Sequence, residues 1–243
     1  KTSNDAEYYE VNTDLTKTLF DQFLKSDCEV FIYISSVKAA ADVLVETLTE
    51  DVIPNPITVY GKSKLAAENH ILSQKIPKNK RVYILRPCMI HGPGNKGNLN
   101  LLYKLVSKRI PWLLGSFENQ RSFCSISNLL FIIKELIENS AINSGIYNVS
   151  DDVPMSTNKI IKLISKSQNK KPLIWKLGKL PIYFLAKLGD VIYLPLNSER
   201  LKKITESYIV NNEKIMNAIA KNLPVSSEKG MSMTFESFNN KES

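Results

Sequence analysis

A tyrosine and a lysine four residues apart, preceded along the chain by two serines, form the pattern with the clearest chemical use. Tyr60 and Lys64 lie on a predicted helix, where this spacing places both side chains on one face, about one turn apart. An ammonium close to a phenol favours the phenolate, so such a pair can take up and release a proton. Ser35 and Ser36 end a short apolar run, and the carboxyl ends of parallel strands are where such sheets bind ligands. Together these residues predict an acid/base site at a sheet edge.

The Tyr-x-x-x-Lys spacing alone is a weak signal, because Tyr183 and Lys187 repeat it. Only the first copy follows a predicted strand that ends in serines, so we expect the second to serve packing and the surface. Taken singly, the serines could cap a strand end and Tyr60 could be a half-buried helix aromatic. Their order along the chain favours the catalytic interpretation.

Predicted strands and helices alternate around these residues. Apolar side chains at helical spacing predict a helix from about Glu7 to Leu24, and the runs Val30–Ile34 and Val82–Leu85 predict strands, the first of them buried on both faces. The alternation continues with a helix from about Thr58 to Leu72, a turn at His91-Gly92-Pro93-Gly94, and further elements at Leu99–Val106, Ile126–Ile137 and Ile146–Val149. This order predicts a parallel α/β sheet.

The pattern becomes mostly helical after Asp151, which predicts a smaller C-terminal lobe. Ser156 or Thr157 is expected to cap a helix at Lys159–Lys166, and a short strand is expected near Tyr208–Val210.

Composition narrows the class of protein. The 243 residues, 43% of them hydrophobic, suffice for one large domain or two small ones. No apolar run approaches the roughly 20 residues of a membrane-spanning helix, and the polar start resembles neither a signal peptide nor an anchor, so we expect a cytoplasmic protein without a membrane partner. Cys28, Cys88 and Cys124 are scattered along the chain and do not form the Cys and His set of a zinc site or a redox pair, which predicts reduced thiols and no metal site. The net charge of +8 comes from dispersed lysines, which predicts no nucleic-acid partner but suits an anionic small substrate.

Motifs along nearly the whole chain resemble those of the extended short-chain dehydrogenase/reductases, the NAD-dependent epimerase/dehydratase family. They are VFIYISSVK at 30–38, YGKSK at 60–64, Leu85-Arg86-Pro87, His91-Gly92-Pro93-Gly94, Arg121-Ser122-Phe123 and GIYNV at 145–149. The chain is most similar to the branch of UDP-glucose 4-epimerase and the UDP-N-acetylhexosamine dehydrogenases or 4-keto reductases of surface-polysaccharide synthesis. The serine run, the loop at 92–98 and Leu114-Gly115-Ser116 point to the second group.

The resemblance implies a fold and a division of the chain. The expected fold is α/β, a Rossmann-like parallel sheet whose N-terminal part is missing, with a smaller, mainly helical C-terminal substrate lobe. Residues 1–150 would form a partial dinucleotide-binding domain, with a substrate loop at about 88–120, and residues 151–243 the substrate-binding lobe. Family members often pair through the helix that bears Tyr60, so a homodimer is possible.

The resemblance also implies catalytic and cofactor roles. Ser36 would hydrogen-bond the sugar hydroxyl or ketone, and Tyr60 would exchange its proton. Lys64 would hold the nicotinamide ribose and favour the tyrosinate, while hydride moves between a sugar carbon and NAD or NADP. Ser35 and Pro87 would complete the cofactor side, since Pro87 follows an arginine whose neighbourhood lines the nicotinamide pocket.

A nucleoside-diphosphate sugar is the implied substrate, with the 4-position of a UDP-hexose or UDP-N-acetylhexosamine as the reacting carbon. Asn98 matches a substrate-binding asparagine, and Arg121 an arginine that pairs with the diphosphate, a role suited to its forked donors. The alternative for Arg121 is an ordinary surface ion pair. Arg200 and Tyr208 are further substrate candidates on a looser alignment, and Met89 occupies a substrate-contacting position.

The chain departs from the family in two ways. Members begin with a strand, a Gly-x-x-Gly-x-x-Gly turn and a helix that holds the pyrophosphate, and these 243 residues contain no such turn. Because the chain starts roughly 70 residues into a typical member, we expect a partial sequence, and the choice between NAD and NADP stays open. Met89 replaces a common asparagine and His91 a common tyrosine, which makes plain UDP-glucose 4-epimerase less expected than a related dehydrogenase or reductase.

Two other functions were weighed against this one. A non-catalytic nucleotide-binding protein of the same fold would typically lack the tyrosine or the lysine, and both Tyr60 and Lys64 are present. A reductase of another small carbonyl compound would not need the diphosphate-binding character of Arg121 and Asn98.

Overall fold

The structure is a computed structural model that describes residues 5–95, 97–192 and 197–239. Its helices are α1 (Asp5–Tyr9), α2 (Leu15–Lys25), α3 (Val59–Ser73), α4 (Asn98–Ser107), α5 (Ile126–Glu138), α6 (Thr157–Ser167), α7 (Lys179–Ile192), α8 (Ser198–Thr205), α9 (Glu213–Ile219) and α10 (Ser227–Asn239). A π-helical turn, Glu10–Asp14, joins α1 to α2, and a 3₁₀ turn occupies Val37–Ala39. The strands are β1 (Val30–Ile34), β2 (Arg81–Pro87), β3 (Met89–His91), β4 (Phe123–Ser125) and β5 (Gly145–Val149).

The chain divides into two compact units. Unit 1 comprises residues 1–90, 128–150 and 210–224, and unit 2 comprises residues 91–127, 151–209 and 225–243. One crossing between the units lies between residues 150 and 151, and residues 91–120 of the expected substrate loop belong to unit 2. The assignment of a cofactor domain to 1–150 and of a substrate lobe to 151–243 stays a prediction. The chain also crosses at four positions that the sequence did not predict as boundaries, after residues 90, 127, 209 and 224.

Unit 1 is built on a parallel sheet with the strand order β1-β2-β5, as the alternation of elements predicted. Ile34 pairs with Leu85, and Leu85 pairs with Tyr147, so the carboxyl ends of the strands lie side by side. On one side of the sheet, α2 and α3 bury an apolar cluster whose members are Phe20, Phe23, Tyr33, Ala67, Ile71, Val82 and Ile84. The sheet edge where the serines were predicted is therefore held by a packed core.

An arginine fixes α5 against this sheet. Nη1 of Arg81 donates to the backbone carbonyls of Leu136 and Asn139 at 2.8 and 2.9 Å, and Nη2 donates to that of Ile137 at 3.0 Å. A cation at a helix C-terminus satisfies carbonyls that have no partner within the helix and complements the helix dipole.

Unit 2 has its own core and a buried polar network. The apolar cluster includes Leu99, Tyr103, Trp112, Phe117, Phe123, Ile160, Ile161, Ile164, Ile182, Met231, Phe235 and Phe238. His91 is buried, with Nδ1 2.9 Å from Thr234 Oγ1 and Nε2 3.2 Å from Asp151 Oδ2. Asp151 also accepts from the backbone N–H of Ser125 at 2.9 and 3.0 Å. His91, predicted to lie in a turn, is instead the last residue of β3 and ties three segments of unit 2 together.

Two structural predictions need correction. In β1 only Tyr33 is buried, while Val30, Phe31, Ile32 and Ile34 are partly exposed, because among the described residues β2 is the one strand that pairs with β1. The strand predicted near Tyr208–Val210 is reduced to single bridges, in which Tyr208 pairs with Arg121 and Val210 with Leu48. Ser156 caps α6 as predicted, and its side chain accepts from the N–H of Lys159.

All three cysteines have free thiols, Cys28 exposed and the other two buried. Within the described ranges, no helix has the length and apolar character needed to cross a membrane.

Candidate active site

The two serines lie directly after β1, as the sequence predicted, but their side chains have different surroundings. Ser35 is buried, and its Oγ donates to Glu68 Oε1 at 2.5 Å. Ser36 is half-buried and caps the 3₁₀ turn, where its Oγ accepts from the N–H of Lys38 at 3.2 Å. The capping role weighed for Ser36 is therefore present. Because that contact uses an acceptor lone pair, the hydroxyl hydrogen of Ser36 can still be donated to a ligand.

The helix that carries Tyr60 starts at a fixed point. The carboxylate of Asp42 accepts from the backbone N–H groups of Ile57 and Thr58 at 2.6 and 2.9 Å, and Thr58 in turn caps α3 by accepting from Gly61. Burial alone would raise the pKa of Asp42, but the hydrogen bonds from Thr58 and Ile57 bring it below its ordinary value. The ionised carboxylate thus anchors the first turn of α3.

Gly61, next to the predicted acid/base, sits where no side chain fits. A Cβ at this position would lie 2.4 Å from the backbone oxygen of Lys38 and 2.8 Å from Cβ of Pro56. Glycine therefore permits α3 to approach the segment that follows Ser36.

Lys64 reaches back to the end of β1. Its Nζ donates to the backbone carbonyl of Ile34 at 3.0 Å and lies 5.0 Å from the centroid of the Tyr33 ring. Burial lowers the pKa of Lys64, and the carboxylate of Glu68 opposes this effect. The contact with Ile34 uses one of three N–H donors, so the ammonium retains donors for a ligand beside the serines.

A buried ion pair that the sequence analysis did not identify supports this arrangement. The Glu68 and Arg86 side chains are 0% and 1% exposed, with Arg86 Nη2 2.5 Å from Glu68 Oε2 and Nε 3.0 Å from Oε1. The same carboxylate accepts from Ser35, so the pair connects α3, β2 and the loop after β1. Two features pointed to it: Glu68 lies one turn beyond Lys64, and Arg86 interrupts an apolar strand, where a buried cation needs a carboxylate.

The π-helical turn brings a further polar group toward α3. Asn12 Nδ2 donates to Ser63 Oγ at 3.0 Å, and the backbone oxygen of Asn12 accepts from the Tyr33 hydroxyl at 3.3 Å. The Tyr60 ring packs edge-on against Tyr8, with 6.0 Å between centroids. A cavity of about 290 Å³ is lined by Glu7, Tyr8, Val11, Asn12 and Tyr60, so one side of the tyrosine faces open space. A π turn inside a helix often marks a functional site.

Three of the predicted substrate residues belong to one part of unit 2. The backbone of Arg121 bridges to Met155 and to Tyr208, and its Nη1 donates to the carbonyl of Lys203 on α8 at 3.0 Å. Burial lowers the pKa of the Arg121 guanidinium, against the opposing influence of Glu206 and Tyr208. Arg200 lies on the same helix, α8, and is exposed, whereas Tyr208 is buried. The surface ion pair weighed for Arg121 is not found among the described residues.

The remaining predicted residues are dispersed. Pro87 is the buried last residue of β2, and Met89 is partly exposed on β3. Asn98 begins α4 and is exposed.

In the second Tyr-x-x-x-Lys copy, the Tyr183 ring packs against Phe117 with 5.8 Å between centroids, and Lys187 is exposed. That copy serves packing and the surface, as predicted.

Comparison with known proteins places these features in a family. A model of the NAD dependent epimerase/dehydratase family matches residues 1–150. A UDP-glucose 4-epimerase of Vibrio cholerae is 30% identical over 95% of this chain and 70% of the relative. The N-acetyl-alpha-D-glucosaminyl-diphospho-ditrans,octacis-undecaprenol 4-epimerase of Escherichia coli O157:H7 is 29% identical over 81% of this chain. The chain spans 61% of that second relative.

Solved structures share the fold. UDP-glucuronic acid 4-epimerase from Bacillus cereus, in complex with NAD, aligns with a TM-score of 0.75 over all of this chain and 72% of its own, at 17% identity. RMD from Pseudomonas aeruginosa, complexed with NADPH, aligns with a TM-score of 0.71 over 98% of this chain and 76% of its own, at 18% identity. The α/β, Rossmann-like fold predicted from the sequence is thereby confirmed.

Proposed function

The chain belongs to the NAD dependent epimerase/dehydratase family, and from this premise we propose that it is an NAD(P)-dependent oxidoreductase or epimerase of a nucleoside-diphosphate sugar. The reacting carbon is the 4-position of a UDP-hexose or UDP-N-acetylhexosamine, within surface-polysaccharide synthesis. The observation that carries the proposal is the position of Lys64, whose ammonium is held at the end of β1 beside Ser35 and Ser36, one turn after Tyr60.

Three side chains take part in the proton transfer at the reacting hydroxyl, in which Tyr60 exchanges the proton and the other two assist. When the sugar carbinol is oxidised to a ketone, Tyr60 takes the proton from its oxygen, and in the reverse direction Tyr60 returns it. The ammonium of Lys64 favours the phenolate that the first step requires. Ser36 donates its hydroxyl hydrogen to the same sugar oxygen and so orients it toward Tyr60.

NAD or NADP supplies the hydride acceptor and donor for the sugar carbon. The residues present fit the nicotinamide end of that cofactor, because Lys64 has ammonium donors beyond the contact with Ile34 to offer to ribose hydroxyls. Pro87 and Ser35 lie at the same strand ends and complete this side. Because the Oγ hydrogen of Ser35 is donated to Glu68, a hydrogen bond from the cofactor to Ser35 would be accepted by its oxygen.

Arg121 is the proposed diphosphate ligand. Within the part of the chain that the structure describes, its guanidinium donates to one backbone carbonyl, and its pKa is lowered by burial, so an incoming dianionic group would stabilise a desolvated cation. Tyr208, bridged to it, Arg200 on α8, Asn98 and Met89 are the further substrate candidates.

One comparison supports a second candidate substrate. The Escherichia coli relative is named for a polyprenol-linked N-acetylglucosaminyl diphosphate, which shares the sugar diphosphate with UDP-sugars. The residues proposed here for the diphosphate and the sugar would serve either compound.

The test is a turnover assay on the natural gene product, whose intact mass is first compared with that of these 243 residues. UDP-hexoses and UDP-N-acetylhexosamines are supplied with NAD or NADP, and nicotinamide absorbance is followed beside product analysis. A stoichiometric absorbance change identifies a dehydrogenase or reductase, and a product without net change identifies an epimerase. Absence of product from every sugar diphosphate, including the polyprenol-linked one, would overturn the proposal.

The diphosphate assignment is tested in the same assay with Arg121→Ala. Loss of a charge-assisted pair should weaken substrate binding by roughly tenfold or more, whereas Lys162→Ala, at an exposed lysine of the same unit on α6, should leave binding unchanged. Undiminished binding of UDP-sugars by Arg121→Ala would remove Arg121 from the site.

A further inference from the structure

Helix α7 is apolar on the face that points away from its own core. Ile182 and Ala186 form its buried stripe. On the opposite side, Leu180 and Phe184 are 82% and 69% exposed, and Leu188 continues the same row one turn later at 41%. An amphipathic helix on the surface of a globular domain normally presents charged and polar residues to solvent. In α7 this row of the solvent-facing side is apolar instead.

The apolar surface extends beyond the helix. The segments at 110–114 and 173–176 are joined by bridges between Trp112 and Ile174 and between Leu114 and Lys176. On these paired segments Ile110, Leu113 and Trp175 are exposed, and Tyr183 of α7 packs against Phe117 just beyond them. We call the exposed side chains of 110–113, 175–180 and 183–188 the α7 surface. Exposed apolar side chains concentrated on neighbouring segments in this way usually mark an interaction site.

The charge around the α7 surface is mainly positive, with Asp190 in the last turn of α7 as an exposed carboxylate that accepts from Ser198. Residues 153–189 include eight lysines and no aspartate or glutamate, and residues 99–117 include two lysines, one arginine and no acidic residue. Among the lysines, Lys176 and Lys187 are exposed within the surface itself. The partner that fits such a surface is both apolar and negatively charged.

We propose that the α7 surface docks on an anionic lipid bilayer. The 14 residues of α7 extend only about 21 Å, so the helix would lie in the plane of the interface instead of crossing the bilayer. Exposed Trp, Leu and Phe beside lysines suit the boundary between headgroups and acyl chains, where the cations meet anionic lipids. A second copy fits less well, because a symmetric dimer through this surface would bring its lysines together, and the exposed carboxylate on α7, Asp190, already accepts from Ser198.

This proposal differs from the sequence-based expectation of no membrane partner, concerns the bilayer surface alone and is independent of any catalytic assignment. The test is co-sedimentation of the full chain with phosphatidylcholine vesicles, with and without phosphatidylglycerol. We expect binding that requires phosphatidylglycerol and declines with added salt. Leu180→Ser combined with Phe184→Ser should reduce the partition coefficient by roughly a hundredfold, since two apolar side chains no longer enter the interface.

The matched control is Leu15→Ser combined with Leu19→Ser, which removes two half-exposed leucines at the same spacing from α2 and should leave binding unchanged. Should the α7 variant fail to fold by circular dichroism, Lys176→Glu with Lys187→Glu decides, with an expected loss of at least about tenfold. Absence of vesicle binding, or equal binding by the α7 variants, would overturn the proposal. So would a dimer of the unaltered chain that the α7 variant dissociates, without vesicle binding.

Discussion

The two Tyr-x-x-x-Lys segments have the same spacing on two helices and differ in nearly everything around them. Lys64 on α3 is half-buried, donates to a strand-end carbonyl and has a lowered pKa, whereas Lys187 on α7 is exposed. Tyr60 lines a cavity, whereas Tyr183 packs against Phe117. The comparison shows that the spacing only aligns two side chains, and that the sheet edge beside α3 turns the alignment into a candidate site.

The residue one turn beyond each lysine differs as well. Glu68 follows Lys64 and forms a buried ion pair with Arg86, while Val191 follows Lys187. In the first copy, the ion pair with Arg86 and the hydrogen bond from Ser35 therefore hold α3 against β2 and the loop after β1. The predictions below test this difference, starting with the largest effect.

The strongest contrast should come from removing one hydroxyl in each copy. Under the proposed function, Tyr60→Phe should lower kcat by about 10²- to 10⁴-fold, the usual contribution of a positioned acid/base, and leave substrate binding nearly intact. Tyr183→Phe should change kcat less than about twofold. Both follow from turnover and binding measurements on UDP-sugars. Full activity of Tyr60→Phe would place the proton transfer elsewhere.

Removing the ion pair between Glu68 and Arg86, one turn beyond Lys64, should lower the stability of the fold. Glu68→Ala leaves Arg86 buried without its carboxylate and should lower the free energy of unfolding by about 3–5 kcal/mol. The control is Glu199→Ala, which breaks the exposed pair with Lys203 and should cost at most about 0.5 kcal/mol. Urea unfolding of the three proteins measures both values. Similar losses in the two variants would mean that the buried pair contributes no more than a surface pair.

The smallest effect concerns the pH dependence of stability. Because burial lowers the pKa of Lys64 from 10.5, the folded chain releases this proton at a lower pH than the unfolded chain does. Between the two pKa values the unfolded state binds more protons, so the free energy of unfolding should rise with pH relative to Lys64→Met. Below this window both states are protonated, and above 10.5 both are neutral, so the difference is constant there. Parallel curves for the unaltered chain and Lys64→Met would contradict a desolvated lysine.

Local spacing was sufficient for the elements that position the site. The β-branched run at Val30–Ile34 gave the bounds of β1, and Thr58 begins α3 as its cap, one residue from the predicted start. The serines follow β1, and Tyr60 with Lys64 occupies the first turns of α3. Each of these features depends on neighbours within a few residues, which is the range over which sequence patterns carry information.

Features that depend on distant segments were not predictable in the same way. Glu68 and Arg86 are 18 residues apart and meet only because α3 packs on β2. His91 forms a hydrogen bond with Thr234, which lies 143 residues later in the chain. The partial exposure of β1 also depends on its neighbours in the sheet, because a continuous apolar run does not reveal how many strands will flank it. Spacing identifies candidates, and tertiary packing assigns their partners.

The interleaving of the two units bears on how sugar specificity could change during evolution. Unit 2 consists of three separate stretches of chain, so no single exchange of a contiguous gene segment transfers it whole. Recombination between relatives would need several joined breakpoints to exchange the whole of unit 2. With the substrate contacts proposed for unit 2, point substitutions within it are the shorter route to a new substrate.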